Sequence, residues 1–497
     1  MDFIQGEDRT QAILFPDSID NYIEENSSAR VIDAFVNSLD LSALGFSRHE
    51  PAETGRPAYN PKDLLKLYMY GYLNRIRSSR RLESESKRNL EAIWLLQKLT
   101  PDHKTIADFR KDNKKELKNV FKSFVKLCMK LGLYGKELAA IDGSKFKAVN
   151  SKDRNFTKDK LKDRIERIDE KIEEYMKELD KGDKEEDAAA REKTAAEING
   201  IIKGLKERKG QYQGMADELE RTGETQKSLT DPESRLMLAN GKMDVCYNVQ
   251  TAVDAKHKLI VDFEVTNNAN DMNQLAPMAK KAMEMLEVEK MAAAADKGYN
   301  SASDIAAATL AGVDAHVAGS DVQICVPAQE GEPAAEITSH ENGRCVYLKD
   351  RNIAVCPMGK TLYPQFYKKS KGEAVFCNPA ACKQCACRCT KEERAFRYQF
   401  VMKESDFSTE YRDDGLAVKQ VRVKPQREII AQRKCIVEHP FGTIKRNMDA
   451  GYCLLKGKVK VTAEFSLIFL AYNLKRVINI LGSKKLTDYI SNSALPA

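Results

Sequence analysis

Leu138-Ala-Ala-Ile-Asp142-Gly-Ser-Lys145 reads as an apolar strand closed by a carboxylate, and Met291-Ala-Ala-Ala-Ala-Asp296-Lys-Gly-Tyr299 repeats the pattern about 150 residues later. A strand fixed in a sheet ladder holds its terminal acid at the sheet edge, where it can reach an ion while its backbone stays rigid. A third acid, Glu438, stands in Val437-Glu438-His-Pro-Phe-Gly-Thr-Ile-Lys445 near the C-terminus. Three such carboxylates suit metal-assisted phosphoryl chemistry.

The chain between these acids supplies the rest of a sheet. Residues 245–253 and 259–265 alternate as strands joined by a turn over 254–258, and a helix is expected over 273–286. The Asp296 strand, a helix over 303–310, a short strand near 322–326 and a helix over about 429–449 carrying Glu438 follow. Strand, hairpin, helix, strand, helix, strand, helix is the element order of an RNase H-like α/β core. Two insertions interrupt it. From 158 to 221 the composition turns to Lys, Glu, Asp and Arg, with Leu161, Ile165, Ile168 and Ile172, then Leu205, Tyr212, Met215 and Leu219, at helical spacing. Lys181-Gly182-Asp183 breaks that run, which predicts an antiparallel helical hairpin serving as a packing or dimer arm.

The second insertion, 327–427, is rich in Gly and Pro and holds seven of the twelve cysteines. Cys382-Lys-Gln-Cys385 has the spacing of a structural zinc site, and Cys356, Cys382, Cys385 and Cys389 are the preferred ligands. The alternative is reduced thiols in a small β-rich segment. Cys128, Cys246, Cys325, Cys435 and Cys453 lie in apolar strands or helices and read as core.

Ahead of the sheet the chain reads as helical from about 41 to 131. Asn60-Pro61 opens one helix, with Leu64, Leu65, Leu67, Tyr68 and Tyr72 on a face, and Asp102 or Thr100 can cap another through Ile106 and Phe109. Arg75, Arg77, Arg80, Arg81, Lys104, Arg110 and Lys111 cluster there, on helices that also carry Tyr68, Tyr70 and Tyr72. Short cationic helices suit docking on the phosphates of double-stranded DNA, or form an ordinary solvated surface. The net charge of +7, from 81 basic and 74 acidic residues, is too small to decide between these. The N-terminus lacks the basic start and apolar stretch of an export signal, and the apolar run 465–474 is closed by Lys475-Arg476. A cytoplasmic, nucleoid-associated protein without a membrane segment is the expectation, with cysteines as thiols or metal ligands.

Two divalent ions roughly 4 Å apart activate a water or 3′-hydroxyl and stabilise the leaving oxygen in a phosphodiester displacement. Mg²⁺ or Mn²⁺ calls for hard oxygen donors, so Asp142 would bridge the ions and Asp296 and Glu438 would each hold one. Lys445, two helical turns beyond Glu438, is placed to meet a phosphate, with Arg433 and Lys434 on the other side.

The chain resembles the DDE transposases of bacterial insertion sequences, in the branch with an InsH-like N-terminal domain. The resemblance is carried by residues 59–72, Ser78-Ser-Arg-Arg-Leu-Glu83, residues 100–110, Ile141-Asp-Gly-Ser-Lys145, residues 231–237, Tyr247-Asn-Val-Gln-Thr-Ala-Val253, Ala295-Asp-Lys-Gly-Tyr299 and residues 437–445. It implies an RNase H-like fold, binding to terminal inverted repeats as a homodimer or larger complex, and strand cleavage followed by transfer. It assigns the catalytic acids to Asp142, Asp296 and Glu438 and the basic partner to Lys445. Where relatives often have Arg four residues before the Glu, this chain has Lys434, with Arg433 one further back. The expected organisation is a DNA-binding domain over 1–135, the first core strand over 136–157, the hairpin over 158–221, core over 222–326, the cysteine insertion over 327–427 and the closing core helices over 428–497. A catalytically silent DNA-binding regulator and a structure-selective nuclease are the rival readings.

Overall fold

The computed structural model of the chain describes residues 18–46, 58–150, 152–182, 188–239, 241–327, 343–385, 397–412 and 418–492. The chain begins with helices α1 (Ser28–Asn37), α2 (Pro61–Leu73), α3 (Ser79–Arg88), α4 (Leu90–Leu95), α5 (His103–Asp112) and α6 (Lys114–Lys130). The expected starts hold. Asn60 accepts a hydrogen bond from the Lys62 N–H with Pro61 at the first helical position, and Asp102 accepts from the Lys104 and Thr105 N–H groups. Helix α2 is buried on nearly every side, so Tyr68, Tyr70 and Tyr72 are core residues and not a DNA-facing surface.

Strand β1 (Leu138–Lys147) enters the sheet and leads to β2 (Asn155–Thr157), α7 (Lys158–Gly182), α8 (Ala188–Thr222) and β3 (Gln226–Ser228). The two long helices pack as the expected hairpin, with β2 and β3 pairing antiparallel at its base. Phe156, Leu161 and Leu219 give that base a small apolar core of its own, and Lys209 pairs with Asp169 between the helices at 2.6 Å.

The chain returns through β4 (Arg235–Ala239), β5 (Lys242–Asp254), β6 (Ile260–Thr266), α9 (Leu275–Leu286), β7 (Met291–Ala295), α10 (Ala302–Leu310) and β8 (Val313–Val317). Strand β5 lies antiparallel to β1 and carries β4 and β6 along its other edge; β7 runs parallel to β1, and β8 parallel to β7. The sheet order is therefore β6-β5-β1-β7-β8, with β1 at its centre. Strand β8 is an addition to the expected elements. Its run Val-Asp-Ala-His-Val is short, and the buried His316 obscures its apolar face.

Strand β9 (Val322–Pro327) pairs with β10 (Gly343–Arg344), and the second insertion then forms a meander of β11 (Val346–Leu348), β12 (Ile353–Val355), β13 (Thr361–Lys368), β14 (Glu373–Cys377) and β15 (Arg397–Val401). A short α11 (Pro379–Lys383) follows β14, and β16 (Val418–Val423) returns antiparallel to β9. The meander has its own core, in which Cys345 and Cys356 pack with Ala354, Leu362, Ala374 and Phe376.

The chain ends in α12 (Arg427–Gly442), a π-helical turn (Thr443–Asn447), α13 (Lys458–Leu481) and α14 (Ser483–Asn492). Helix α13 fastens the N-terminal helices to the sheet. It packs on α2, α6 and β6, and sets Phe465 and Phe469 edge-on to Phe146 and Phe263, each at 4.7 Å between ring centroids. Asn473 bonds both the N–H and the C=O of Ile260 on β6, at 2.9 and 2.8 Å. The apolar run 465–474 is thus interior helix, and among the described residues no single helix is long and apolar enough to cross a membrane.

Candidate active site

Strand β1 matches β7 over Leu138↔Ala292, Ala139↔Ala293 and Ala140↔Ala294, and the ladder stops there. Continued by two residues, that register sets Asp142 opposite Asp296 on one face of the sheet. The chain turns away after β7 because Asp296 Oδ1 accepts the Gly298 N–H at 2.8 Å, capping the short turn Lys297–Tyr299. Both predicted aspartates therefore stand where the central strands separate.

Asp142 is mostly buried, and burial pushes its carboxyl up to about 6. Arg433 on α12 opposes that shift, with Nη1 3.5 Å from Asp142 Oδ1, while the charges of Asp296 and Asp271 add to it. A carboxylate pushed upward by burial and by other carboxylates is a group that gains from a cation.

Asp271 escapes sequence reading. It lies between β6 and α9 in the polar run Asn-Asn-Ala-Asn-Asp, which has neither a strand nor a helix period. Its Oδ1 accepts from Asn248 Nδ2 and Gln250 Nε2, both at 2.7 Å, and its Oδ2 lies 3.8 Å from Lys145 Nζ. Gln250 in turn accepts from the buried Tyr299 hydroxyl, whose ionisation is suppressed first by burial and then by the charges of Asp271, Asp142 and Asp296. Tyr299, Gln250 and Asp271 thus form one hydrogen-bonded chain. The available signal was in β5: Asn248 and Gln250 are polar residues two apart on one face of an otherwise apolar, wholly buried strand segment.

Glu438 stands apart from this group in character. Its side chain is 65% exposed, and its carboxylate lies 3.9 Å from Lys434 Nζ one helical turn back. Among the described residues, no three Asp, Glu, His or Cys side chains are placed to hold a single ion. Lys445 sits in the π-helical turn, which breaks the 3.6-residue period expected to keep it in line with Glu438. Its Nζ donates to Ser144 Oγ at 2.6 Å and to the Lys145 carbonyl at 3.2 Å, and lies 4.7 Å from the Phe146 ring centre. Lys445 therefore reaches β1 beside Asp142, where burial lowers its pKa.

Two of the cations expected on DNA are interior. Arg77 donates to the Asp449 and Tyr452 carbonyls at 2.9 and 2.6 Å and pairs with the fully buried Glu464 at 2.9 Å. Arg110 donates to the Tyr72 hydroxyl at 2.9 Å and lies over the Tyr68 ring. Both serve the junction between the N-terminal helices and α13, so neither is available to a phosphate. Arg75, Arg80, Arg81, Lys104 and Lys111 are exposed, as expected.

In the insertion, Cys356 Sγ accepts the Lys360 N–H at 3.2 Å, inside the turn that joins β12 to β13. Burial raises its pKa, and the nearby Cys385 and Cys382 add to the shift. Cys356, Cys382 and Cys385 are not placed to hold one ion together, and the fourth predicted thiol, Cys389, lies outside the described residues. Cys128, Cys246, Cys325 and Cys453 are buried as expected; Cys435, on the outer side of α12, is exposed.

Residues 17–112 match the family model of a transposase domain (DUF772), and residues 355–478 match that of a transposase DDE domain. The second match covers the cysteine insertion from residue 355 on, with Glu438 and Lys445, whereas Asp142 and Asp296 lie ahead of it. No curated protein and no solved structure matches the chain.

Proposed function

We propose that the chain, which its two matches identify as a DDE transposase of an insertion sequence, binds the terminal inverted repeats of its element and carries out metal-dependent strand cleavage and transfer there. One observation carries this reading: Asp142, within β1, and Asp296, just past the end of β7, stand two residues beyond the last parallel pair at the centre of the sheet, and the Asp296 charge adds to the electrostatic cost of ionising Asp142. The order β6-β5-β1-β7-β8, in which β5 alone runs antiparallel to the other four strands, supports an RNase H-like core.

The donor set fits Mg²⁺ or Mn²⁺: carboxylate oxygens on rigid backbone, a buried carboxyl held up near 6, and a glycine at 143 where any side chain would collide with Gln250 and Asp271. Asp142 and Asp296 would hold the cation, and Glu438 would join from α12. A bound divalent cation supplies an activated water or 3′-hydroxyl and offsets charge on the scissile phosphate. Arg433 offsets the Asp142 charge while the site is empty of cation, and Lys445 holds the β1 backbone two to three residues beyond Asp142. The exposed Arg75, Arg80, Arg81, Lys104 and Lys111, with Lys434, supply phosphate contacts whose affinity falls with salt.

For the insertion we propose one structural zinc on Cys356, Cys382, Cys385 and Cys389, and elemental analysis should return about one zinc per chain. Assembly on DNA as a homodimer or larger complex, in the nucleoid of the cytoplasm, belongs to the same proposal. The test of function is cleavage of end-labelled terminal-repeat DNA with Mg²⁺, followed by a joining assay. Cleavage with joining is the expected result; nicking without joining would make the protein a nuclease, and binding without cleavage a regulator.

A further inference from the structure

Asp271 belongs to none of the roles above, yet its two oxygens are held very differently. Oδ1 is saturated by the amides of Asn248 and Gln250, both side chains of fully buried residues on β5. Oδ2 is left facing the Asp296 turn: a β-carbon on Gly298 would lie 3.0 Å from Asp296 Oδ1 and 3.6 Å from Asp271 Oδ2. Lys145 Nζ, at 3.8 Å, is too far to hydrogen-bond that oxygen.

A second observation points to something missing between these groups. Asn248 is fully buried, its Nδ2 serves Asp271, and its Oδ1 has no donor. That oxygen lies on the Gly143 side of β1, 3.0 Å from where a Gly143 β-carbon would sit. A buried acceptor without a donor is costly, and an ordered water is its usual partner. Mg²⁺ binds through one or two carboxylates and keeps several waters, each of which must donate its hydrogens to something.

We infer that Asp271 is an outer-sphere carboxylate of the divalent-cation site: its Oδ2, ion-paired with Lys145 but not hydrogen-bonded to it, accepts, with Asn248 Oδ1, hydrogen bonds from water in the shell of a cation held by Asp142 and Asp296. This rests on the reading that those two aspartates bind a cation. The role is a positioning one, and it agrees with the absence of a three-ligand cluster among the described residues. Gly298 is the place where a side chain would enter the space between Asp296 Oδ1 and Asp271 Oδ2, and Gly143 leaves room for the Gln250 and Asp271 side chains, which would collide with a β-carbon there.

Asp271→Asn isolates the claim, because the amide oxygen can still accept from Asn248 and Gln250 while Oδ2 becomes an NH₂ group. Mn²⁺ binding to the full-length protein, followed by electron paramagnetic resonance of free Mn²⁺, should weaken by about 10- to 100-fold, the cost of losing an outer-shell partner. Asp271→Ser, which keeps a hydroxyl for the two amides, repeats the measurement if the asparagine variant melts early. Asp142→Asn is the control and should abolish tight binding. An unchanged affinity in the Asp271 variants, with binding lost in Asp142→Asn, overturns this inference alone. Unchanged affinity in Asp142→Asn overturns the underlying metal assignment as well.

Discussion

The two halves of the candidate site are held by different kinds of structure. Asp142 and Asp296 stand on neighbouring strands in the middle of the sheet, and their separation is set by backbone pairing that ends two residues before them. Glu438 and Lys445 stand on α12 and on the π-helical turn after it, and only Lys445 is tied down, by bonds to Ser144 and Lys145 on β1. A ladder fixes a carboxylate before any ligand arrives, whereas an exposed helical carboxylate is free to adjust when DNA and metal bind. On the proposed function, this difference would give metal capture to the sheet and completion of the site to the helix.

Removing either sheet carboxylate should have the largest effect. Asp142→Asn and Asp296→Asn are each expected to lower cleavage of terminal-repeat DNA by roughly 10³-fold while the mobility shift on the same DNA stays near wild type. Full cleavage by either variant would remove that residue from the site.

The support behind the sheet comes next. Arg77→Ala leaves Glu464, buried on α13, without its cation, which should cost about 3–5 kcal/mol in urea unfolding. Arg80→Ala, on the exposed side of α3, should stay within about 0.5 kcal/mol. Comparable losses from both would mean that Arg77 is not the fastening residue its contacts indicate.

A pH series separates the sheet from the helix. The Asp142 carboxyl is raised to about 6 in the folded chain, above its ordinary value of 3.8, so the folded state takes up a proton between these values. Its contribution is most favourable below pH 4 and is lost as pH rises through 6, a change on the order of 3 kcal/mol in metal-free protein. Asp142→Asn should flatten this window and Glu438→Gln should not, as measured by thermal melts at low salt. The smallest effect belongs to the helix: with its side chain 65% exposed, Glu438→Gln should alter metal-free stability by less than about 0.5 kcal/mol. A larger loss would give Glu438 a packing role and erase the contrast.

Much of this was written locally in the chain, and the rest was not. The β1 and β7 runs are apolar stretches stopped by an acid, and the hairpin helices carry their own spacing and breaker, so their positions could be read directly. Arg77 could not, since its partner Glu464 lies 387 residues downstream and a cation facing a buried acid looks the same in sequence as one facing solvent. Lys445 was displaced by a π-helical turn that follows Pro440 and Gly442, a break that the helical-period reading of Glu438 and Lys445 passed over. Cys435 falls on the outer side of α12 although Ile436 and Val437 beside it are buried. Asp271 was hidden by its polar loop; only the paired amides on β5 marked its place.

The most direct test is anomalous diffraction at the manganese edge from crystals of the full-length protein grown with terminal-repeat DNA and Mn²⁺. The account predicts a peak between the Asp142 and Asp296 carboxylates. A complex that shows manganese elsewhere, with those two carboxylates bare, would contradict it.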